Sequence, residues 1–377
     1  MWYHWGMQQR WQHGVTVRIA RTGTRARLTA RMAVSRARGR PHTLSHLVTV
    51  RCNGSCATCL WRSGAAGAAA GSSAGSAAAR DGQLDTASVR RLYAEAGRAG
   101  MAQVVVWGGE PLLRQDLPEL LLAARRAGLF VTLITNGWYV AERWAGLRGA
   151  VDALILSLDD VGEAHDRMRG LPGLFERLEA FVPALRDDAL RPTLLLNMVL
   201  SRQNPGALQR VAAVARRWGA GLYFCPMETG ELSAGEAGDR LAGLALSPPE
   251  LREAAGLALE LKAAGYPILD SRAFLELLAA DPRLSAYTCR APRARLTIGA
   301  DGSVRDCLHS DRPLANVRDL WADGLGLTSL FGSPGWRRMG AEAACCTKCS
   351  NPDVVELSWL WDLRPVMLGK VLDLARR

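Results

Sequence analysis

The chain has 377 residues, 49% of them hydrophobic, and sets 47 Lys and Arg against 36 Asp and Glu for a formal net charge of +11. That length and apolar content exclude a disordered polymer and allow a sizeable core plus a smaller second unit. No apolar run approaches the roughly eighteen residues of a membrane-spanning helix, so no membrane partner is expected.

The basic excess is uneven. Residues 1–42 hold nine Arg and no Asp or Glu, which leaves about +2 for the other 335 residues. They mix Trp, Arg, Gly and Thr without a period and read as a basic, disordered tail, with Met32 as an alternative start. A basic RNA-binding arm is the sharper alternative. The only lysines are Lys262, Lys348 and Lys370. Such near-exclusive use of Arg fits a GC-rich coding bias better than a phosphate-binding face, so a nucleic-acid partner is not expected.

From His46 to Met227 short apolar runs alternate with amphipathic stretches. The expected strands are 46–51, 103–107, 130–135, 153–157, 193–199 and 221–225. Helices are expected over 86–99, 117–127, 141–147, 174–185 and 205–218. Strands spaced by helices imply parallel βαβ units. Six units suit an open or partial (β/α) barrel with ligands at the carboxyl ends of its strands. An Ala/Gly/Ser-rich stretch, 63–82, reads as a flexible insertion. Helices at 248–264 and 274–280 follow, then a hairpin of 293–298 and 303–306 around Gly299-Ala-Asp-Gly302. A final helix, 354–377, would dock Leu357, Leu360, Trp361 and Leu368.

Nine cysteines fall in groups: Cys52, Cys56 and Cys59; Cys289 and Cys307; Cys345, Cys346 and Cys349; and Cys225 alone. Grouped cysteines in a long chain without a secretory signal point to metal in a reducing cytoplasm. Cys52-Asn-Gly-Ser-Cys56-Ala-Thr-Cys59 puts three thiolates on the loop after the first strand. Three thiolates on a [4Fe–4S] cube leave one iron open to bind a small molecule. Structural zinc normally takes four protein ligands, and the nearest His, His42 and His46, lie upstream of this loop.

These residues resemble the radical S-adenosylmethionine (SAM) superfamily. The three cysteines match its cluster motif. Gly108-Gly109-Glu110-Pro111 follows the second strand, Thr135-Asn136-Gly137 the third, and Ser157-Leu158-Asp159 with His165-Asp166-x-x-Arg169 the fourth. The resemblance covers roughly 44–360. It implies an α/β fold: a partial (β/α)6 radical-SAM barrel with a smaller C-terminal α+β auxiliary iron–sulfur domain. The implied divisions are a tail at 1–42, a core at 43–230, a helical connector at 231–285 and an auxiliary domain at 286–377. It implies a SAM-binding [4Fe–4S] cluster and reductive cleavage of SAM to a 5′-deoxyadenosyl radical. Gly108 and Gly109 would let the backbone approach the ligand. Glu110 would accept from the SAM ammonium, though a helix N-terminal acid is an alternative. Ser157 would contact the ribose or methionine part, and Arg169 would pair with the SAM carboxylate. Asp159 joins this set. Thr58 departs from the aromatic residue the family often has before its third Cys, and Trp61 is an alternative cover for adenine.

Cys289, Cys307, Cys346 and Cys349 give C-x17-C-x38-C-x2-C. The pattern resembles the auxiliary-cluster domain of this superfamily, in its shortened twitch form rather than the fuller SPASM form. Spacing favours Cys346 over Cys345 as the ligand; zinc is the alternative occupant. Four thiolates would fully ligate an auxiliary [4Fe–4S] cluster whose simplest use is to accept an electron from a substrate radical. The resemblance therefore implies oxidation or modification of a peptide or small natural product in the cytoplasm. A flavodoxin- or ferredoxin-type reductant is expected. A nucleotide, tRNA or cofactor-precursor substrate is one alternative, and a non-catalytic Fe–S electron carrier or sensor is another. Asp159, Glu228 and Asp270 are candidate bases, and Cys225 reads as a structural thiol.

Overall fold

Six strands run parallel: β1 (Thr43–Leu47), β2 (Gln103–Trp107), β3 (Phe130–Thr135), β4 (Ala153–Ser157), β5 (Thr193–Leu200) and β6 (Gly221–Pro226). The structure is a computed structural model that describes residues 22–59, 82–227, 241–282, 284, 287–305, 307, 313–346, 349 and 351–367. The expected insertion at 63–82 thus lies almost wholly outside the described residues. Helices α2 (Thr86–Arg98), α3 (Leu117–Arg126), α4 (Val140–Leu147), α5 (Gly162–Arg169), α6 (Leu174–Asp187) and α7 (Ala207–Trp218) fill the crossovers. This is the expected (β/α)6 arrangement, left open rather than closed. In β5, Leu194, Leu196, Met198 and Leu200 are buried in the core while Leu195, Asn197 and Val199 stay half-open on the other face. That period of two separates a packed convex face from an accessible concave one.

The C-terminal α+β part does not stand apart from the barrel. Hairpin β7 (Arg295–Ile298) and β8 (Ser303–Arg305) extends the same sheet, with β7 parallel to β1, and β9 (Ala315–Asn316) completes the order β6-β5-β4-β3-β2-β1-β7-β8-β9. The last described helix is Pro352–Trp361, shorter than expected; Leu357 and Trp361 pack with Ala294, and Leu368 lies outside the described residues.

Two expectations change. The first strand begins at Thr43, not His46, and ends before Val48. Residues 48–51 leave the ladder because their carbonyls are needed elsewhere: Thr49 O accepts from Gly109 N (2.8 Å) and Arg51 O from Glu110 N (2.7 Å). The basic tail is also not disordered where it is described. Thr22–Ala37 form α1. Arg31 donates to the carbonyls of Met101 (2.6 Å), Gly97 (3.3 Å) and Gly128 (3.0 Å), and Ser35 to that of Gly100 (2.7 Å). These are the open carbonyls at the C-terminal ends of α2 and α3, where a cation is favoured. Arg36 reaches Trp361 O. Part of the N-terminal charge therefore closes helix ends within the fold.

Two buried histidines, His42 just before β1 and His46 within it, make the fold acid-sensitive. His42 is held near pKa 4 by burial, helped by the Arg295 charge, and fully buried His46 near 3 by burial, helped by Arg114. Both are neutral when folded, whereas the unfolded chain protonates them near 6.5. Their contribution is complete above pH 6.5 and is lost as pH falls toward 4 and 3. At pH 5 each imidazole costs about 2 kcal/mol relative to pH 7. Urea melts at the two pH values should show this loss; equal stability would contradict it.

Candidate functional site

The three loop thiols sit where β1 has left the sheet. Cys52 Sγ accepts from Gly54 N at 3.3 Å, and Cys56 Sγ lies 3.9 Å from Arg169 Nη1. Burial pushes the Cys52 thiol up to about 12, against the Gly54 N–H; the charges of Cys56, Glu110 and Cys59 push it further up. Among the described residues, no group of three His, Cys, Asp or Glu converges on a single-ion site. Thiols spread over one loop, with an N–H and a guanidinium aimed at sulfur, fit a polynuclear cluster. Such contacts stabilise anionic ligands.

The loop is clamped by the end of β2. A Cβ on Gly108 would meet Thr49 O at 2.4 Å, and one on Gly109 would meet Arg51 O at 2.3 Å. Glycine is needed here because the protein's own backbone comes close. Glu110 is fully buried. Its Oε1 accepts from Leu112 N (2.9 Å) and the Thr135 hydroxyl (2.7 Å), and its Oε2 from Asn136 N (2.8 Å). Burial pushes its pKa up, against those three donors and the Arg169 charge. The carboxylate thus joins the ends of β2 and β3 and caps the 3-10 turn Pro111–Leu113, the helix-terminal alternative weighed above. Asn136 passes the contact on, donating to Asn53 Oδ1 (2.9 Å) inside the cysteine loop.

Ser157 closes β4 opposite Asn197 of β5, and its side chain has no hydrogen-bond partner among the described residues. Asp159 and Arg169 form a buried ion pair, Nε to Oδ2 at 2.8 Å. Burial works against the Arg169 charge, but Asp159 and Cys56 outweigh it and its pKa rises. Asp159 also accepts from Val199 N (2.9 Å), so it is a structural link rather than a free base. Asp270 is fully buried and accepts from Phe224 N (3.1 Å), again structural. Glu228 and Trp61 lie outside the described residues. Cys225 is half-buried on the concave side and donates to Asn197 Oδ1 at 3.4 Å.

Sequence reasoning missed Arg114, and it placed His165 in a motif without a role. Arg114 grips Asp116 through two nitrogens (2.9 and 2.7 Å) and also donates to Val48 O (2.9 Å) and Leu84 O (3.2 Å). His165 Nδ1 accepts from Asp159 N (3.2 Å), and burial and Arg169 hold it near pKa 3, hence neutral. The Val48 and Leu84 carbonyls lie far from Arg114 in sequence, and His165 meets a main-chain N–H, so no pattern of side chains announces either role. An open cavity of about 380 Å³ flanks the loop, lined by Arg51, Gln83, Asp85, Arg114 and Asp116 among others.

Of the second cysteine group, Cys289 and Cys349 are buried, Cys307 and Cys346 are half-buried, and Cys345 is exposed. Burial raises the Cys289 pKa against the Ala291 N–H, and the Cys346 charge raises it further. Cys345 caps the C-terminus of Pro334–Ala344.

Residues 47–214 match the Radical SAM superfamily. A curated relative, the PqqA peptide cyclase of Gluconobacter oxydans (strain 621H), is 38% identical over 142 residues, 37% of this chain and 39% of that protein. Native anSMEcpe with bound AdoMet superposes with a TM-score of 0.59 at 16% identity, covering 89% of this chain and 100% of that one. Streptococcus suis SuiB bound to precursor peptide SuiA gives 0.56 at 13% identity, covering 86% and 74%. At those identities the structures speak for the fold alone.

Substituting Gly109→Ala forces its Cβ into the Arg51 carbonyl. It should cost about 1–3 kcal/mol in a denaturant melt, the usual range for overpacking. A melt unchanged from wild type would show that the two segments are free to part.

Proposed function

From the premise that residues 47–214 are a radical SAM domain, we propose that the protein is a radical SAM enzyme that oxidises or cross-links a peptide substrate. One observation carries this reading. Three thiols on one short loop lie at the carboxyl end of β1, clamped there by the Gly-Gly-Glu turn of β2. The similarity to PqqA peptide cyclases over 142 residues supports a peptide as substrate.

Cys52, Cys56 and Cys59 would hold the SAM-binding [4Fe–4S] cluster. With SAM bound, that group supplies a 5′-deoxyadenosyl radical able to take hydrogen from an unactivated C–H. Gly108, Gly109 and Glu110 position the loop that carries the thiols. The Ser157 hydroxyl, at the strand end beside Asn197, is the polar contact for the nucleoside or amino-acid part. The peptide would lie along the concave face, past Asn197, Tyr223 and Cys225, which alternate outward from the core. Cys289, Cys307, Cys346 and Cys349 would hold the auxiliary [4Fe–4S] cluster that takes the substrate's electron. No helix among the described residues is long and apolar enough to cross a membrane. A cytoplasmic enzyme fed by a flavodoxin- or ferredoxin-type reductant completes the reading.

Anaerobic reconstitution with iron and sulfide, followed by dithionite and SAM, should release 5′-deoxyadenosine detectable by chromatography. Combined replacement of Cys52, Cys56 and Cys59 by Ala should reduce it to background. Cys307→Ala should leave uncoupled SAM cleavage intact and lower bound iron. Undiminished 5′-deoxyadenosine from the triple variant would refute the assignment.

A further inference from the structure

The end of α5 is built against the cysteine loop. Arg169 O accepts from Ser55 N at 2.9 Å, and the Cys56 thiol lies 3.9 Å from the same carbonyl. A Cβ on Gly170, which sits at φ +64, would fall 1.9 Å from Ser55 Oγ. These main-chain contacts hold the loop whatever side chain stands at 169. The guanidinium does something separate. It lies with Nη1 3.9 Å from Cys56 Sγ and Nε 2.8 Å from Asp159 Oδ2, and the two side chains are only 12% and 1% exposed.

Asp159 is itself fixed from three directions. Its Oδ1 accepts from Val199 N (2.9 Å), its N–H donates to His165 Nδ1 (3.2 Å), and its carbonyl accepts from Asn204 Nδ2 (2.7 Å). The positive end of a rigid, buried ion pair therefore points at one of the three loop sulfurs. An Arg charge is permanent. A cation about 4 Å from a ligand sulfur, away from water, favours whichever cluster state carries more negative charge, and that is the reduced one.

We infer that Asp159 and Arg169 form a positioning pair that sets how readily the cluster on Cys52, Cys56 and Cys59 is reduced. The guanidinium eases reduction and the carboxylate moderates it. This inference rests on the reading of those three cysteines as cluster ligands. It gives Arg169 a role toward sulfur that does not require contact with a substrate.

The test is an EPR-monitored redox titration of the reconstituted full-length protein. It follows the signal that disappears when Cys52, Cys56 and Cys59 are all Ala. At the potential where the wild-type cluster is half reduced, Arg169→Gln should lower the reduced-to-oxidised ratio about tenfold, about 59 mV for one electron. Arg169→Lys should stay within about twofold of wild type, and Asp159→Asn should raise the ratio. Arg210→Gln breaks the neighbouring pair with Asp160, at 2.8 to 2.9 Å, and should leave the ratio unchanged. If Arg169→Gln retains iron but titrates like wild type, or if Arg210→Gln shifts the ratio equally, the inference is overturned. Should Arg169→Gln fail to retain iron, Asp159→Asn decides: a raised ratio supports the inference, and an unchanged or lowered one overturns it. A wild-type protein with no such signal fails the ligand assignment instead, so the two failures are distinct.

Discussion

Everything at the mouth of this barrel depends on two main-chain hydrogen bonds, Gly109 N to Thr49 O and Glu110 N to Arg51 O. They pull the segment after β1 out of the sheet and turn it across the end of β2. The approach is close enough that only glycine fits at 108 and 109. Glu110 then extends the joint to β3 through Thr135 and Asn136, and Asn136 returns to the cysteine loop at Asn53. A buried carboxylate without donors would be costly, whereas one with three is a strong, charge-assisted junction. The cysteine loop is thus held at two places, by the β2 turn before Cys52 and by the end of α5 at Ser55 and Cys56.

The sheet provides the second constraint. Because β7 pairs in parallel with β1, from Thr43↔Arg295 to His46↔Ile298, the first cysteine loop leaves the carboxyl end of that pair. Cys289 precedes β7, and Cys307 follows the antiparallel β8, so both belong to the opposite end. The two thiol groups therefore leave opposite ends of one continuous hydrogen-bonded frame. Helix α1 adds to this frame, with Arg31 on the barrel's helix ends and Arg36 on the C-terminal helix.

Much of this was legible in the sequence because it was local. The alternation of β5, the amphipathic crossovers and the cysteine spacings each depend on residues close together in the chain. What escaped reading depends on partners far apart. Residues 48–51 look like strand because Val48 and Val50 are β-branched, yet the backbone there is claimed by Gly109 and Glu110. The Arg-rich start looks disordered because its period is weak, but Arg31 finds three carbonyls from two helix ends. The acid in Gly-Gly-Glu and the arginine at 169 match a ligand-facing motif, and the sequence does not show that the first also meets Thr135 and Asn136, and the second Asp159 and Cys56. Charged groups in a sequence announce that they need partners, and they do not say which.

The central claim is that one iron on the three-cysteine loop is left for SAM. EPR of the anaerobically reduced protein, recorded without and with SAM, tests it directly. The signal carried by Cys52, Cys56 and Cys59 should change shape when SAM is added, as coordination at an open iron requires. A spectrum that SAM leaves untouched, in protein that carries its full iron, would contradict it.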